Sequence, residues 1–137
     1  MIGISSKTTY AVSALHELDS IQGEEVLKIK EIALRASIPQ NFLEQILLSL
    51  RKQGILTSIK GARGGYRLAK NLKDVTLKDV VMTLETDAFS DLSKTDNPAL
   101  KLFWTDISKG VSSVFDMPLS ELKNYQYKVD QTLNYSI

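Results

Sequence analysis

The sequence predicts a mainly α-helical fold that carries one small β-hairpin and continues into a long amphipathic helix. Three observations predict it. Apolar residues recur at three- and four-residue steps from Tyr10 to Leu50. The period drops to two in the stretch GILTSIKGARGGYRLAK, Gly54 to Lys70. Further on, Leu100, Trp104, Ile107, Val111 and Val114 step by four, three, four and three, which is a heptad seam. With 137 residues, 43% of them hydrophobic, the chain can bury a core as one medium domain or as a small domain with an appended dimerisation element.

The elements follow in order. Ser5-Ser6-Lys7-Thr8-Thr9 offers N-cap hydroxyls, and Tyr10, Ala11, Ala14, Leu15 and Leu18 recur behind it, so a first helix should run to about Ser20. Val26, Leu27 and Ile29 suit a very short extended piece. Ile29, Ile32, Ala33 and Ala36 fit a short second helix ending near Ser37. Pro39 suits the first turn of a third, where its missing N–H costs nothing. Phe42, Leu43, Ile46, Leu47 and Leu50 give that helix a wide apolar stripe until Gly54. Ile55, Thr57 and Ile59 then alternate as a strand, GARGG turns, and Tyr66-Arg67-Leu68 returns. Helix, short helix, turn, helix and hairpin is the layout of a winged helix-turn-helix, assigned to residues 1–75.

Residues 76–137 read as a helical dimerisation and regulatory region. Thr76 and Asp79 have the spacing of a capping box, opening a helix through Val80, Val81 and Leu84. Thr86 to Asn97 is polar and irregular. Asn97 as N-cap and Pro98 at the first helical position then open the heptad helix, expected to reach Asp116 and to be about 28 Å long at about 1.5 Å per residue. So long an apolar face, Leu100, Phe103, Trp104, Ile107, Val111 and Val114, is most economically covered by the same helix of a second chain. Packing on its own winged unit is the alternative. Leu119, Leu122 and Tyr125 suggest one more short helix, and nothing periodic follows Lys128.

Charge is unevenly placed. The formal net charge is +1, yet no acid occurs between Glu44 and Asp74, where Arg51, Lys52, Lys60, Arg63, Arg67, Lys70 and Lys73 all fall. A basic tract of this kind is a footprint of polyanion binding, or simply a solvated face. The glycines beside it do not make a nucleotide loop: a Walker loop needs Lys and Ser/Thr opening a helix, whereas Tyr66 and a strand follow here. The dinucleotide fingerprint fails for the same reason. Catalysis has little to stand on. His16 is the one histidine, cysteine is absent, and no serine sits in a nucleophile elbow. Asp87, Asp91 and Asp96 share a loop without an EF-hand pattern. No metal or other cofactor is therefore expected. Without cysteine, a signal peptide or a long apolar run, the chain reads as cytoplasmic.

Binding of duplex DNA is favoured because independent features converge. Gln40 and Asn41 lie near the start of the third helix and Glu44 one turn along; amides can pair with adenine and a carboxylate can accept from cytosine. Arg51 and Lys52 at its far end would reach phosphates, as would the hydroxyls, cation and N–H groups of Ser6, Lys7 and Thr8. A winged helix that docks on a protein is the alternative reading.

At these residues the chain resembles a known family. SSKTTYAVSALHELD, the run FLEQILLSLRKQGIL and SIKGARGGYRLAKNLKDVTLKDVVMTLE are similar to the Rrf2 family of bacterial transcription regulators. NPALKLFWTDISKGVSSVFD resembles its dimerisation helix. The resemblance implies a homodimer that sets two winged units on a palindromic operator and usually represses. By position it puts Pro39, Gln40, Asn41 and Glu44 on the recognition helix. Lys60, Arg63, Gly64 and Tyr66 fall on the wing, and Ser6, Lys7, Thr8 and Tyr10 on the first helix. Many members hold an iron–sulfur cluster on three cysteines before the dimerisation helix; here that loop, Thr86 to Asn97, has none. The likeness is to the cysteine-poor branch, which includes a regulator of cysteine metabolism. A regulatory protein or a small-molecule effector remains open as the partner.

Overall fold

The computed structural model describes residues 3–21, 23–89 and 94–135. Among these residues six α-helices and a two-stranded antiparallel hairpin follow one another as α1 (Ser6–Asp19), α2 (Ile29–Ala36), α3 (Gln40–Lys52), β1 (Leu56–Ile59), β2 (Gly65–Leu68), α4 (Leu77–Leu84), α5 (Pro98–Val114) and α6 (Leu122–Tyr135). Single 3-10 turns at Leu72–Asp74 and Leu119–Glu121 precede α4 and α6.

The helix-turn-helix forms because its apolar stripes meet. Ala11, Ala14, Leu15 and Leu18 of α1 are buried against Ile32 of α2 and against Leu43, Ile46, Leu47 and Leu50 of α3. Leu27, Leu56, Leu72, Val75 and Val80 close the same core. Two residues differ from the expected stripe and cap. Phe42 is 53% exposed, because it lies at the stripe's edge beside Tyr10, ring centroids 6.3 Å apart. Pro39 is the N-cap of α3, one residue before the first turn expected for it, and its carbonyl accepts from the N–H groups of Phe42 and Leu43.

The turn between α2 and α3 is made by Ser37 in the left-handed region, φ 55° and ψ 47°, where a side chain is disfavoured. The N–H of Ile38 donates to Ala33 O at 3.0 Å, and the buried Ile38 side chain pins the turn to the core. The hairpin pairs Leu56 with Leu68 and Ile59 with Gly65. It is fastened to the body through Leu27, whose N–H donates to Tyr66 O at 2.9 Å and whose carbonyl accepts from Tyr66 N–H at 2.8 Å. That bridge is what the expected extended piece before α2 amounts to.

The Thr76–Asp79 capping box of α4 forms as its spacing predicts, with Asp79 N–H donating to Thr76 Oγ1 and Thr76 N–H to Asp79 Oδ2. Asn97 caps α5, accepting from the N–H groups of Ala99 and Leu100. Helix α5 ends at Val114, with Phe115 as C-cap, two residues before the expected Asp116. Its end is stitched to the start of α4, since Leu77 N–H donates to Met117 O and Lys78 N–H to Phe115 O. The chain after Lys128 is helical to Tyr135, so the last helix is longer than its sequence pattern suggests. It is largely exposed and touches α1 through the ion pair of Lys123 Nζ with Asp19 Oδ2 at 3.5 Å.

Candidate nucleic-acid interface

Helix α3 turns its apolar side to the core and leaves Asn41, Glu44 and Gln45 in solvent, with Gln40 half-buried at its start. Gln45 is the residue of this face that the sequence reasoning misses. It stands four residues after Asn41, one turn on along the same exposed face, so the signal is present in the spacing. At the far end of the helix Arg51 Nη1 donates to Ser58 Oγ of β1 at 3.2 Å, tying the helix to the hairpin, and Lys52 is exposed.

The hairpin's tip is cationic and built on glycine. Gly61 has φ 105°, and its carbonyl accepts from Gly64 N–H at 3.0 Å, closing the turn. A side chain on Gly64 would run into the Ile59 carbonyl, and one on Gly65 would lie 2.6 Å from Leu27 O. The tight turn leaves Lys60 and Arg63 exposed at the tip. Gly64 and Tyr66 serve the hairpin's own construction: Gly64 is buried, and Tyr66 packs half-buried against the core while its backbone holds Leu27.

The start of α1 meets the start of α3. Lys7, Asn41, Phe42 and Gln45 line one cleft of about 400 Å³, together with Ser49 and Thr83. Ser6 and Lys7 are exposed and Tyr10 is half-buried beside Phe42. Thr8 is not available as the phosphate-binding hydroxyl expected of it. Its side chain is 2% exposed, and its Oγ1 donates to Glu85 Oε2 at 2.6 Å. The other oxygen of the same carboxylate accepts from Ser5 N–H at 2.5 Å. Burial pushes the Glu85 carboxyl up, but the hydrogen bonds from Ser5 and Thr8 and the nearby Lys7 ammonium outweigh it and hold the group below the usual carboxylate range. No local pattern points to Glu85, since its partners lie about eighty positions earlier.

The heptad residues stand together and uncovered. None of the residues of α5 is buried; Trp104 is 37% and Val114 66% exposed, with Leu100, Phe103 and Ile107 between and Val111 half-buried. The Phe103 and Trp104 rings meet edge to face with centroids 5.0 Å apart. Val129 and Leu133 of α6 are exposed as well. Among the described residues no helix is long and apolar enough to cross a membrane.

A helical core, a left-handed turn between α2 and α3, and a basic glycine-built wing define a winged helix-turn-helix transcription regulator. The chain belongs to the Rrf2 family: the family model described as an iron-dependent transcriptional regulator matches residues 4–117. The HTH-type transcriptional regulator CymR of Bacillus subtilis is 32% identical over 124 residues, 89% of this chain and 90% of that one. The solved structure of CymR, the global cysteine regulator of that organism, superposes with a TM-score of 0.79 at 31% identity, covering 91% of this chain and 98% of the other. A regulator of Rhodobacter capsulatus described as HTH-type and rrf2-like is 44% identical over 85 residues, which is 60% of this chain and 57% of that protein. These relatives are transcriptional regulators, and the chain is accordingly not an enzyme.

The donor set does not fit an iron centre of the thiolate kind. The sequence has no cysteine and one histidine, and among the described residues no three His, Asp or Glu side chains gather as metal ligands. Asp91, one of the three aspartates of the loop before α5, lies outside the described residues.

Proposed function

We propose that this regulator acts as a homodimer that sets two winged units on a palindromic operator and represses transcription there, without an iron–sulfur cluster. In this reading residues 1–75 bind DNA and residues 76–137 dimerise and receive the signal. The observation that carries it is the exposed polar face of α3, Asn41, Glu44 and Gln45, which shares a cleft with Lys7 and is tied through Arg51 to a wing bearing Lys60 and Arg63. That arrangement supports base reading by α3 and phosphate contacts on either side of it. The uncovered apolar face of α5 supports the second copy. The absence of cysteine and the likeness to CymR support the cluster-free branch.

Selection of bound fragments from a genomic library is the test. Recovery of a shared inverted repeat upstream of genes is expected, with reporter expression falling when the regulator is supplied. Retention of no fragment even at low salt would overturn the DNA-binding reading, and half-site recovery by a monomer would overturn the homodimer.

A further inference from the structure

Among the described residues, the side-chain hydrogen bonds between elements far apart in sequence converge on one group. Glu85, the C-cap of α4, accepts from Ser5 N–H and from Thr8 Oγ1 at the start of α1. The geometry is that of a capping box divided between two helices. In the ordinary box the residue at the third helical position accepts from the N-cap N–H. Here that position is Thr8, whose hydroxyl donates instead, and the missing acceptor arrives from α4. Ser5 also caps locally, its Oγ accepting from Lys7 N–H at the second helical position at 3.2 Å, while Thr8 N–H donates to the Ser5 carbonyl.

We propose that Glu85 is a positioning residue of the DNA interface: from the end of α4 it closes the N-terminal cap of α1 and so holds Ser6 and Lys7 in place for phosphate. This rests on the DNA-binding reading above. Glu85 touches no DNA in this assignment; it acts through α1. Lys7 is the charged residue that the cap delivers to the cleft shared with Asn41. Because the same residue ends α4, its backbone N–H donating to Val81 O just before the segment leading to α5, the placement of a phosphate-binding cation is made to depend on where α4 stops.

The test uses the full-length protein, a fluorescently labelled random-sequence duplex and a salt series. Phosphate binding is sequence-independent, so no operator is needed, and each neutralised phosphate adds about 0.9 to the slope of log affinity against log salt. Glu85→Ala removes both acceptors. It is expected to bind about fivefold more weakly, with a slope shallower by roughly 0.9 for each phosphate that Ser6 and Lys7 no longer hold. Glu85→Gln keeps an acceptor for Ser5 N–H and a donor for Thr8 Oγ1, and should restore both the affinity and the slope. Partial unfolding would lower the active fraction and leave the slope alone, so slope separates positioning from damage. Thr8→Val, which removes one of the two bonds, provides a milder variant with the same expected direction should the alanine chain not fold. A wild-type slope in Glu85→Ala and in Thr8→Val, or a slope loss that Glu85→Gln does not restore, would overturn the proposal. Failure of the wild type to bind any duplex would instead remove the DNA-binding reading on which it rests.

Discussion

In the proposed DNA complex Arg63 and Asn41 have different tasks, and substitution separates them. Arg63 stands exposed at the tip of the wing. Arg63→Ala should weaken binding to every sequence alike and reduce the salt slope by about 0.9, the share of one neutralised phosphate. Asn41→Ala should instead cost about 1–3 kcal/mol at one or two base pairs and leave the slope unchanged, as read by competition between operator variants. Ser37 is a different matter, one of backbone strain. Its left-handed φ of 55° is a conformation that costs an L side chain about 1–2 kcal/mol, so Ser37→Gly should raise the thermal midpoint and leave DNA affinity unchanged. Glu85 gives a pH signature. Its folded carboxyl titrates below the ordinary range, so the stability it adds is complete above that range and is lost as pH falls through the depressed value. The thermal midpoint of Glu85→Gln should therefore fall less steeply with acid than that of the wild type.

Helices α1 to α3 and the hairpin are legible in the sequence because each obeys one period and bears its own punctuation. Leu43, Ile46, Leu47 and Leu50 keep helical spacing until Gly54, where φ is 76°, and Thr76 with Asp79 announces α4. Helix α6 is not legible past Lys128, because it is nearly all exposed and has no buried stripe to impose a period. Phe42 misleads for a related reason: it borders the stripe in sequence, yet the bundle needs only four of the five apolar residues. The candidate site divides along the same line. Asn41, Glu44 and Arg63 follow from position on an element, whereas Glu85 becomes visible only when α4 is laid against α1. The wing is the element most sensitive to a single added carbon. With Ile59 O in the way, Gly64→Ala must shift the tip, and a weaker non-specific DNA affinity in a gel-shift titration is the expected outcome.

At the scale of the whole molecule, the apolar face of α5 is expected to belong to two chains. Ile107→Glu would place a charge on each side of that seam, so light scattering should report a monomer and operator affinity should collapse with the loss of two-site binding. The winged unit itself, whose core lies elsewhere, should keep its helical signal in circular dichroism. A chain without cysteine should likewise bind its operator equally well with and without an iron chelator. The 17 residues of α5, not one of them buried, also bear on dosage. Below the dissociation constant of a dimer, its concentration rises with the square of the chain's. For the proposed homodimer, halving the rate of synthesis would then leave about a quarter of the dimer, and a promoter would be released well before the protein itself had been diluted away.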